Sequence, residues 1–226
     1  MNTVTVGSLD IVLNDEEFTL LPQKAIFYKK EKALIIADVH LGKAGHFRQA
    51  GLAVPAGLAY ADLQILDGLL GRSGLVIERI IVLGDLFHAT LNPDWRIFEE
   101  WRKLNSDPEI ILIKGNHDIL SDSHYEELDI KVSEIMVLNN FMLIHNFEDE
   151  EEIGGLYKLC GHIHPAVRMQ GKAKQALTLS CFYFNESIGI LPAFGRFTGK
   201  HIINPSESDN VFVISGSGEG DKVIRI

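Results

Sequence analysis

The chain has 226 residues, 46% hydrophobic and 23% charged, with a formal net charge of −10. Such a length and balance sustain one domain with a substantial core and exclude extended disorder, a polybasic surface and, for want of roughly 20 consecutive apolar residues, a membrane-spanning helix. Two cysteines, Cys160 and Cys181, are too few for a disulfide framework, and Met1-Asn2-Thr3-Val4 lacks a signal peptide's basic start and apolar stretch, so one cytoplasmic domain over residues 1–226 is expected.

In chain order, Val4–Val6, Leu9–Leu13, Phe18–Leu21, Ala25–Tyr28 and Ala33–Ala37 are β-favouring runs between turn residues. Apolar residues at helical spacing predict a helix from Ala56 to Leu70, with stops at Gly71 and Gly74. Ile80–Leu83 and Ile110–Ile113 are continuous apolar runs suited to strands buried on both faces. Between them, a helix from Pro93 or Asp94 to Leu104 has Asn92 as its cap. Past Ile130 come closely spaced strands: Ile135–Leu138, Phe141–His145, Leu156–Cys160, Ala176–Tyr183 and Val211–Ile214. Two packed sheets with helices outside are expected.

Five of these strands end in groups that are costly to bury. Ala33–Ala37 ends in Asp38-Val39-His40, Ile80–Leu83 leads to Asp85 and His88, and Ile110–Ile113 leads to Asn116-His117-Asp118. Phe141–Ile144 ends in His145, and Leu156–Cys160 leads to His162 and His164. A strand-end turn explains any one of them. Five together point to a metal centre, with oxygen from Asp38, Asp85 and Asn116 and nitrogen from His40, His145, His162 and His164. That mixed donor set suits manganese, iron or zinc better than calcium, and seven ligands exceed the needs of one ion with an open position. Two divalent ions about 3.5–4 Å apart are the arrangement that clamps the attacking and leaving oxygens of phosphoryl transfer.

The ordered motifs D-x-H, G-D-x-x-H, G-N-H-D, a single His and G-H-x-H, spanning Asp38 to His164, resemble the calcineurin-like metallophosphoesterase family. The resemblance implies a four-layer α/β/β/α sandwich with two packed mixed β-sheets. It implies that Asp38, His40, Asp85 and His164 hold the first ion and that Asp85, Asn116, His145 and His162 hold the second, Asp85 bridging. His117 would approach the phosphate or leaving oxygen, with Asp118 fixing its ring. The departure is Ile144, where the family often has Gly before the histidine. The stretches "ADVHLGKAGHFRQAGLAVPAG" and "GDLFHA", and more loosely "GRFTG", resemble the bacterial DNA ligase-associated metallophosphoesterases. That finer resemblance implies a nucleic-acid substrate, a role in DNA repair and a DNA ligase or helicase partner.

His88 is similar to a histidine of recombination-repair nucleases that takes part in phosphodiester cleavage, where an added imidazole could assist a poor leaving group, or it simply begins the next loop. Lys43 and Arg48 follow the first metal strand and are candidates for contact with flanking phosphates, or are simply solvated. Arg168, Lys172, Lys174, Arg196 and Lys200 are candidates for a basic rim or for ordinary surface. Phe182, Tyr183, Phe184, Phe194 and Phe197 could stack on bases, although core packing is the default. His46, His124 and His201 fit no motif, Cys160 reads as a buried thiol, and Glu148–Glu152 as a solvated loop. The reading is a phosphodiesterase with two divalent ions, Mn²⁺ first, that cleaves nucleic acid. The alternatives are a phosphatase or diesterase for small nucleotides and a metal-stabilised partner that docks onto a ligase or helicase and has little catalysis of its own.

Overall fold

The computed structural model describes residues 6–55, 57–88, 90–149, 154–171, 175–216 and 220–226. Val4, Lys172, Lys174 and Glu150–Glu152 lie outside them. The chain opens with a meander of β1 (Leu9–Leu13), β2 (Glu16–Leu21), β3 (Ala25–Tyr28) and β4 (Ala33–Ile36), all antiparallel. The first turn is Asn14-Asp15, both with positive φ (49° and 64°), the backbone twist that a two-residue hairpin demands and that short polar side chains tolerate.

From β4 onward the sheet becomes parallel, through β5 (Arg79–Leu83), β6 (Glu109–Ile113) and β7 (Ile130–Ser133), giving the order β1-β2-β3-β4-β5-β6-β7. Parallel neighbours need crossovers, and these carry the helices α1 (Lys43–Gln49), α2 (Leu58–Arg72), α3 (Pro93–Leu104) and α4 (Asp122–Glu126). The α3 boundaries are those expected: Asn92 accepts the Asp94 N–H at 3.0 Å and Pro93 occupies the first turn. The expected stop at Gly71 is not observed. α2 runs one residue further, to Arg72, before Ser73 donates to the Leu69 carbonyl and Gly74 turns left-handed (φ 73°). Among the described residues no helix is long and apolar enough to cross a membrane.

The second sheet is built from β8 (Met136–Leu138), β9 (Phe141–Leu143), β10 (Tyr157–Cys160), β11 (Pro165–Gln170), β12 (Ala176–Phe184), β13 (Ile188–Ile190), β14 (His201–Ile202), β15 (Asn210–Ser215) and β16 (Lys222–Arg225). Its order is β14-β11-β12-β13-β10-β9-β8, with β15 pairing β12 and β16 pairing β15. Parallel and antiparallel pairs mix in both sheets.

The two sheets pack face to face through Phe18, Leu20, Ile26, Tyr28, Ile35, Ile81, Leu83, Ile113, Phe141, Leu159, Phe182, Phe184 and Phe212. At its centre the Phe18 ring stacks on Tyr28 (4.4 Å) and meets Phe141 edge-on (5.2 Å). Each such buried side chain contributes about 1.5–3 kcal/mol. The other face of the first sheet is covered by Leu63, Leu66 and Leu69 of α2, Trp95, Phe98 and Trp101 of α3, and Tyr125 of α4. The Trp101 indole N–H docks α3 on α2 by donating to Asp67 at 2.7 Å. Two smaller apolar clusters, around Cys181 and Cys160, belong to the second sheet. The fold is thus α/β, with two packed mixed sheets and helices outside, as expected.

Candidate metal centre

The carboxyl ends of β4, β5, β6 and β10, and the residues following β9, converge on one edge of the sandwich. The loops after β4 and β5 remain zipped together beyond the strands: Asp38 N donates to Gly84 O (3.1 Å), His40 N to Asp85 O (2.8 Å) and Leu41 N to Leu86 O (2.9 Å). From the second sheet, Gly161 N donates to His145 O (3.0 Å) and the His162 amide to the Asp38 carboxylate (3.0 Å). A strap after β13, Phe194 to His201, then fastens the edge. Phe194 N donates to Ala37 O (2.8 Å), Gly195 N to Asp38 O (3.1 Å) and His201 N to His164 O (3.0 Å).

All seven expected ligands meet here. One ligand atom each from Asp38, His40 and His164 lies within 4.8 Å of the others, and so does one each from Asp38, Asp85 and His145. His40 Nε2 is 3.5 Å from Asp85 Oδ2, and His145 Nε2 is 3.6 Å from Asp85 Oδ1. His145 Nε2 is also 3.1 Å from Asn116 Oδ1 and from His162 Nδ1. The Asp38 and Asp85 side chains are 0% and 3% exposed, so their charges are out of water and need compensation.

The histidine tautomers give a test of whether a cation belongs there. His145 Nδ1 faces the Leu83 carbonyl at 2.9 Å, and His164 Nδ1 faces the Gly199 carbonyl at 3.3 Å. Carbonyls only accept, so both Nδ1 atoms carry protons, which leaves the Nε2 atoms to face the Asp85 and Asp38 carboxylates. A cation placed between each Nε2 and its carboxylate would satisfy both. The ring nitrogens are also ordered as metal-bound histidines are, with the far nitrogen tied to the protein.

Backbone strain marks the same residues. Asp38, His40, Asp85, His162 and His164 all adopt positive φ, between 52° and 66°, which non-glycine residues rarely do. Each costs on the order of 1–3 kcal/mol and persists only where the surroundings over-determine it, a pattern typical of ligand clamps. Close approach explains Gly84 (φ 78°), where a Cβ would fall 2.0 Å from His145 Nδ1. Oxygen and nitrogen donors, buried charge and stored strain together fit divalent ions.

The model of the calcineurin-like phosphoesterase family matches residues 32–216. The chain belongs to the calcineurin-like phosphoesterase family. It is a metal-dependent phosphoesterase, a hydrolase. Among solved structures it is similar to the Pseudomonas putida nuclease MPE, at 32% identity and a TM-score of 0.79, covering 97% of this chain and 100% of that one. A metallophosphoesterase from Sphaerobacter thermophilus matches at 14% identity and a TM-score of 0.40, covering 86% of this chain and 87% of that one. No curated protein matches.

Around the phosphoesterase's candidate ligands stands a second group of imidazoles. His40 Nδ1 and His88 Nδ1 lie 3.1 Å apart, and the His88 and His117 rings lie 4.3 Å apart and tilted by 34°. Burial pulls His88 down to about 4, helped by the nearby His117, Lys43 and His46, so the ring is neutral at pH 7. His46, which fits no motif, is an exposed neighbour whose ring lies 6.2 Å from that of His88. Lys43 is half-buried beside His40 and His88.

Two expected roles are replaced. Asp118 does not orient the His117 ring: its carboxylate accepts from the backbone N–H groups of Asp85 (2.7 Å), Gly115 (2.9 Å) and Phe87 (3.1 Å) and from the Tyr125 hydroxyl (3.3 Å). It braces the loops after β5 and β6, and burial raises it to about 6. The His117 amide is held instead by Asp85 Oδ1 at 2.9 Å. Arg48 is engaged within the protein. Its guanidinium donates to Asp94 Oδ1 (3.0 Å) and the Pro55 carbonyl (3.1 Å), and Asp94 also accepts from Gly45 N.

Of the basic rim, Arg168, Arg196 and Lys200 are exposed. Phe182, Phe184 and Phe194 are core, and Tyr183 bonds Asp209. Phe197, 36% exposed, lies edge-on to Phe47 on the strap. Cys160 is fully buried and its thiol is pushed up by burial, as befits an inert core residue. His124 is tied to Ser121, and His201 is exposed. Sequence reasoning missed the strap and the Leu83 and Gly199 carbonyls, which act through backbone atoms and leave no side-chain signature.

Proposed function

We propose that the chain is a dinuclear-metal phosphodiesterase that cleaves nucleic acid, DNA in particular, in a repair pathway alongside a DNA ligase or helicase. The observation that carries it is the position of Asp85, whose two oxygens face His40 on one side and His145 on the other at 3.5 and 3.6 Å. Asp38, His40, Asp85 and His164 would hold one ion and Asp85, Asn116, His145 and His162 the other, with Mn²⁺ the first choice for this donor set. When bound, the pair supplies neutralisation of charge on the phosphoryl oxygens and lowers the pKa of coordinated water.

The chain's own residues do the rest. His117, anchored by its amide to Asp85, supplies a proton to the departing oxygen. His88 accepts the Nδ1 proton of His40, which fixes the His40 ring and leaves the His88 proton on Nε2, available to a leaving alkoxide. Lys43 stands beside them as a phosphate contact. The similarity to a protein described as a nuclease, over 97% of this chain and all of that one, supports a diester rather than a small monoester as substrate.

The test compares initial rates on a phosphodiester and a monoester with the same leaving group after Mn²⁺ reconstitution. Diester preference, abolished by Asp85→Asn together with loss of bound metal, is expected. Preference for the monoester overturns the substrate assignment, and an Asp85→Asn variant with normal turnover and two metals overturns the centre.

A further inference from the structure

Beside the metal centre lies a cavity of about 570 Å³ that the hydrolytic site does not use. Its lining includes Gln23 and Lys24 from the turn between β2 and β3, and Phe194, Arg196 and Lys200 from the strap. Phe194 and Arg196 flank Gly195, whose amide donates to the Asp38 carbonyl, so this wall is continuous with the loop that presents Asp38. The turn reaches the same edge because β3 runs antiparallel to β4, with Ile26 opposite Ile35, which sets the amino end of β3 level with the carboxyl end of β4.

The chemistry of the cavity is that of an anion site. In a chain of net charge −10, three cations line it. Asp221 lies on the lining, and Asp62 stands close by, but the Asp62 carboxylate already accepts the Arg196 backbone N–H at 3.2 Å. Lys200 Nζ spends one donor on the Thr178 carbonyl (3.1 Å) and keeps two. The Lys24 ammonium has no hydrogen-bond or salt-bridge partner among the described residues, its backbone N–H alone donating, to the Leu21 carbonyl, although burial first, and then the charge of Lys200, pull that ammonium down to about 8. Its backbone is held at φ 62°, a strained conformation for a lysine. Gln23 adds a buried Oε1 that has no partner among the described residues, an acceptor in want of a donor.

We propose that this cavity is a subsite for a backbone phosphate of the substrate strand away from the scissile bond, held by Lys24, Arg196 and Lys200. Gln23 accepts from a donor group of the same nucleotide. The inference rests on the nucleic-acid reading of the metal centre. A strand lying over Asp38 and His164 runs along the strap and so past Arg196 and Lys200; a basic track beside a catalytic site is how single strands are held without regard to sequence.

The experiment uses the Mn²⁺-reconstituted enzyme, a single-stranded oligodeoxynucleotide and a minimal aryl phosphodiester too small to reach the cavity. Lys24→Gln is expected to turn over the minimal diester at the wild-type rate, which also shows that it is folded. With the oligonucleotide its KM rises roughly tenfold, the scale of a lost charge-assisted contact, while kcat holds. The slope of log affinity against log salt falls by about 0.7, as for one phosphate contact to a single strand, and Lys24→Arg restores both. Arg196→Gln raises the oligonucleotide KM further when combined with Lys24→Gln. Unchanged KM and salt slope in an enzyme that cleaves the oligonucleotide overturn the subsite and leave the proposed function standing. A wild-type enzyme that cleaves the minimal diester but neither binds nor cleaves the oligonucleotide overturns both. Inorganic phosphate that stabilises wild type but not Lys24→Gln, with the oligonucleotide KM the same in both, assigns the cavity to a free anion and also overturns the proposal.

Discussion

His40 and His88 face each other through their Nδ1 atoms at 3.1 Å, while the opposite nitrogen of His40 points at Asp85. Under the proposed function, His88 would act through His40 as well as beside the leaving group. Replacing it with alanine removes the partner that orders His40, and losses of this kind lower metal affinity or activity by about 10–100-fold. Diester hydrolysis by His88→Ala is expected to fall by that factor. Titrating activity against added Mn²⁺ checks the mechanism: a curve that saturates at the wild-type concentration with undiminished turnover would sink it.

Asp118→Asn should be far from conservative. The carboxylate receives three backbone N–H groups and a hydroxyl, and an amide replaces one accepting oxygen with a second donor. A buried donor set against donors costs about 1–3 kcal/mol. Denaturant unfolding of the metal-free protein should show that loss, with the loops after β5 and β6 exchanging amide hydrogen faster. Equal stability, with only the pH profile altered, would return Asp118 to the role of a catalytic partner of His117.

Arg48→Ala is expected to reduce stability and not substrate affinity. Its partner Asp94 is 5% exposed, and removing the guanidinium leaves that carboxylate with backbone donors alone, a loss of about 1–3 kcal/mol. The oligonucleotide KM should stay within about twofold of wild type, below the scale of one charge-assisted contact. A tenfold rise in KM without loss of stability would show that Arg48 swings out to the substrate.

Asp62 gives a pH dependence of known sign. Burial raises its carboxyl from 3.8 to about 6, against the hydrogen bond from Arg196 N. The folded state thus binds this proton more tightly than the unfolded state. The group's contribution to stability is complete below about pH 4 and is lost as pH rises through about 6, at most about 3 kcal/mol. Asp62→Asn, which keeps an acceptor for Arg196, should gain on wild type across that window. Unfolding free energies of the two proteins that differ by a constant from pH 4 to 7 would refute the shift.

Much of this site is visible in the sequence because its ligands are side chains at the ends of strands whose apolar runs are unmistakable. Ile80–Leu83 and Ile110–Ile113 stand in the structure as β5 and β6, each extended by one residue at its start. The second sheet is less legible. β13, three residues around Gly189, and β14, only His201-Ile202, exist through partners distant in the chain, such as Lys158 for Ile188 and Pro165 for His201. α1 lacks a side-chain cap and begins after Gly42, so nothing local announces it. Asp118 was misread for a related reason: its partners are amides, and an amide has no identity in a sequence. Lys24 stands apart from every motif, and its surroundings are made by residues near position 196 that only the fold brings to it.

The candidate ligands are drawn from both halves of the sandwich: Asp38, His40, Asp85 and Asn116 from the first sheet, His145, His162 and His164 from the second. Apolar packing between the sheets is non-directional and tolerates small sliding. The centre does not, because one residue of slip along a strand is about 3.3 Å, as large as the 3.2 Å that separates His164 Nε2 from Asp38 Oδ1. The edge therefore works as a register lock between two sheets that, among the described residues, share no hydrogen-bonded strand pair, and a displacement too slight to unfold the protein is enough to dismantle its chemistry.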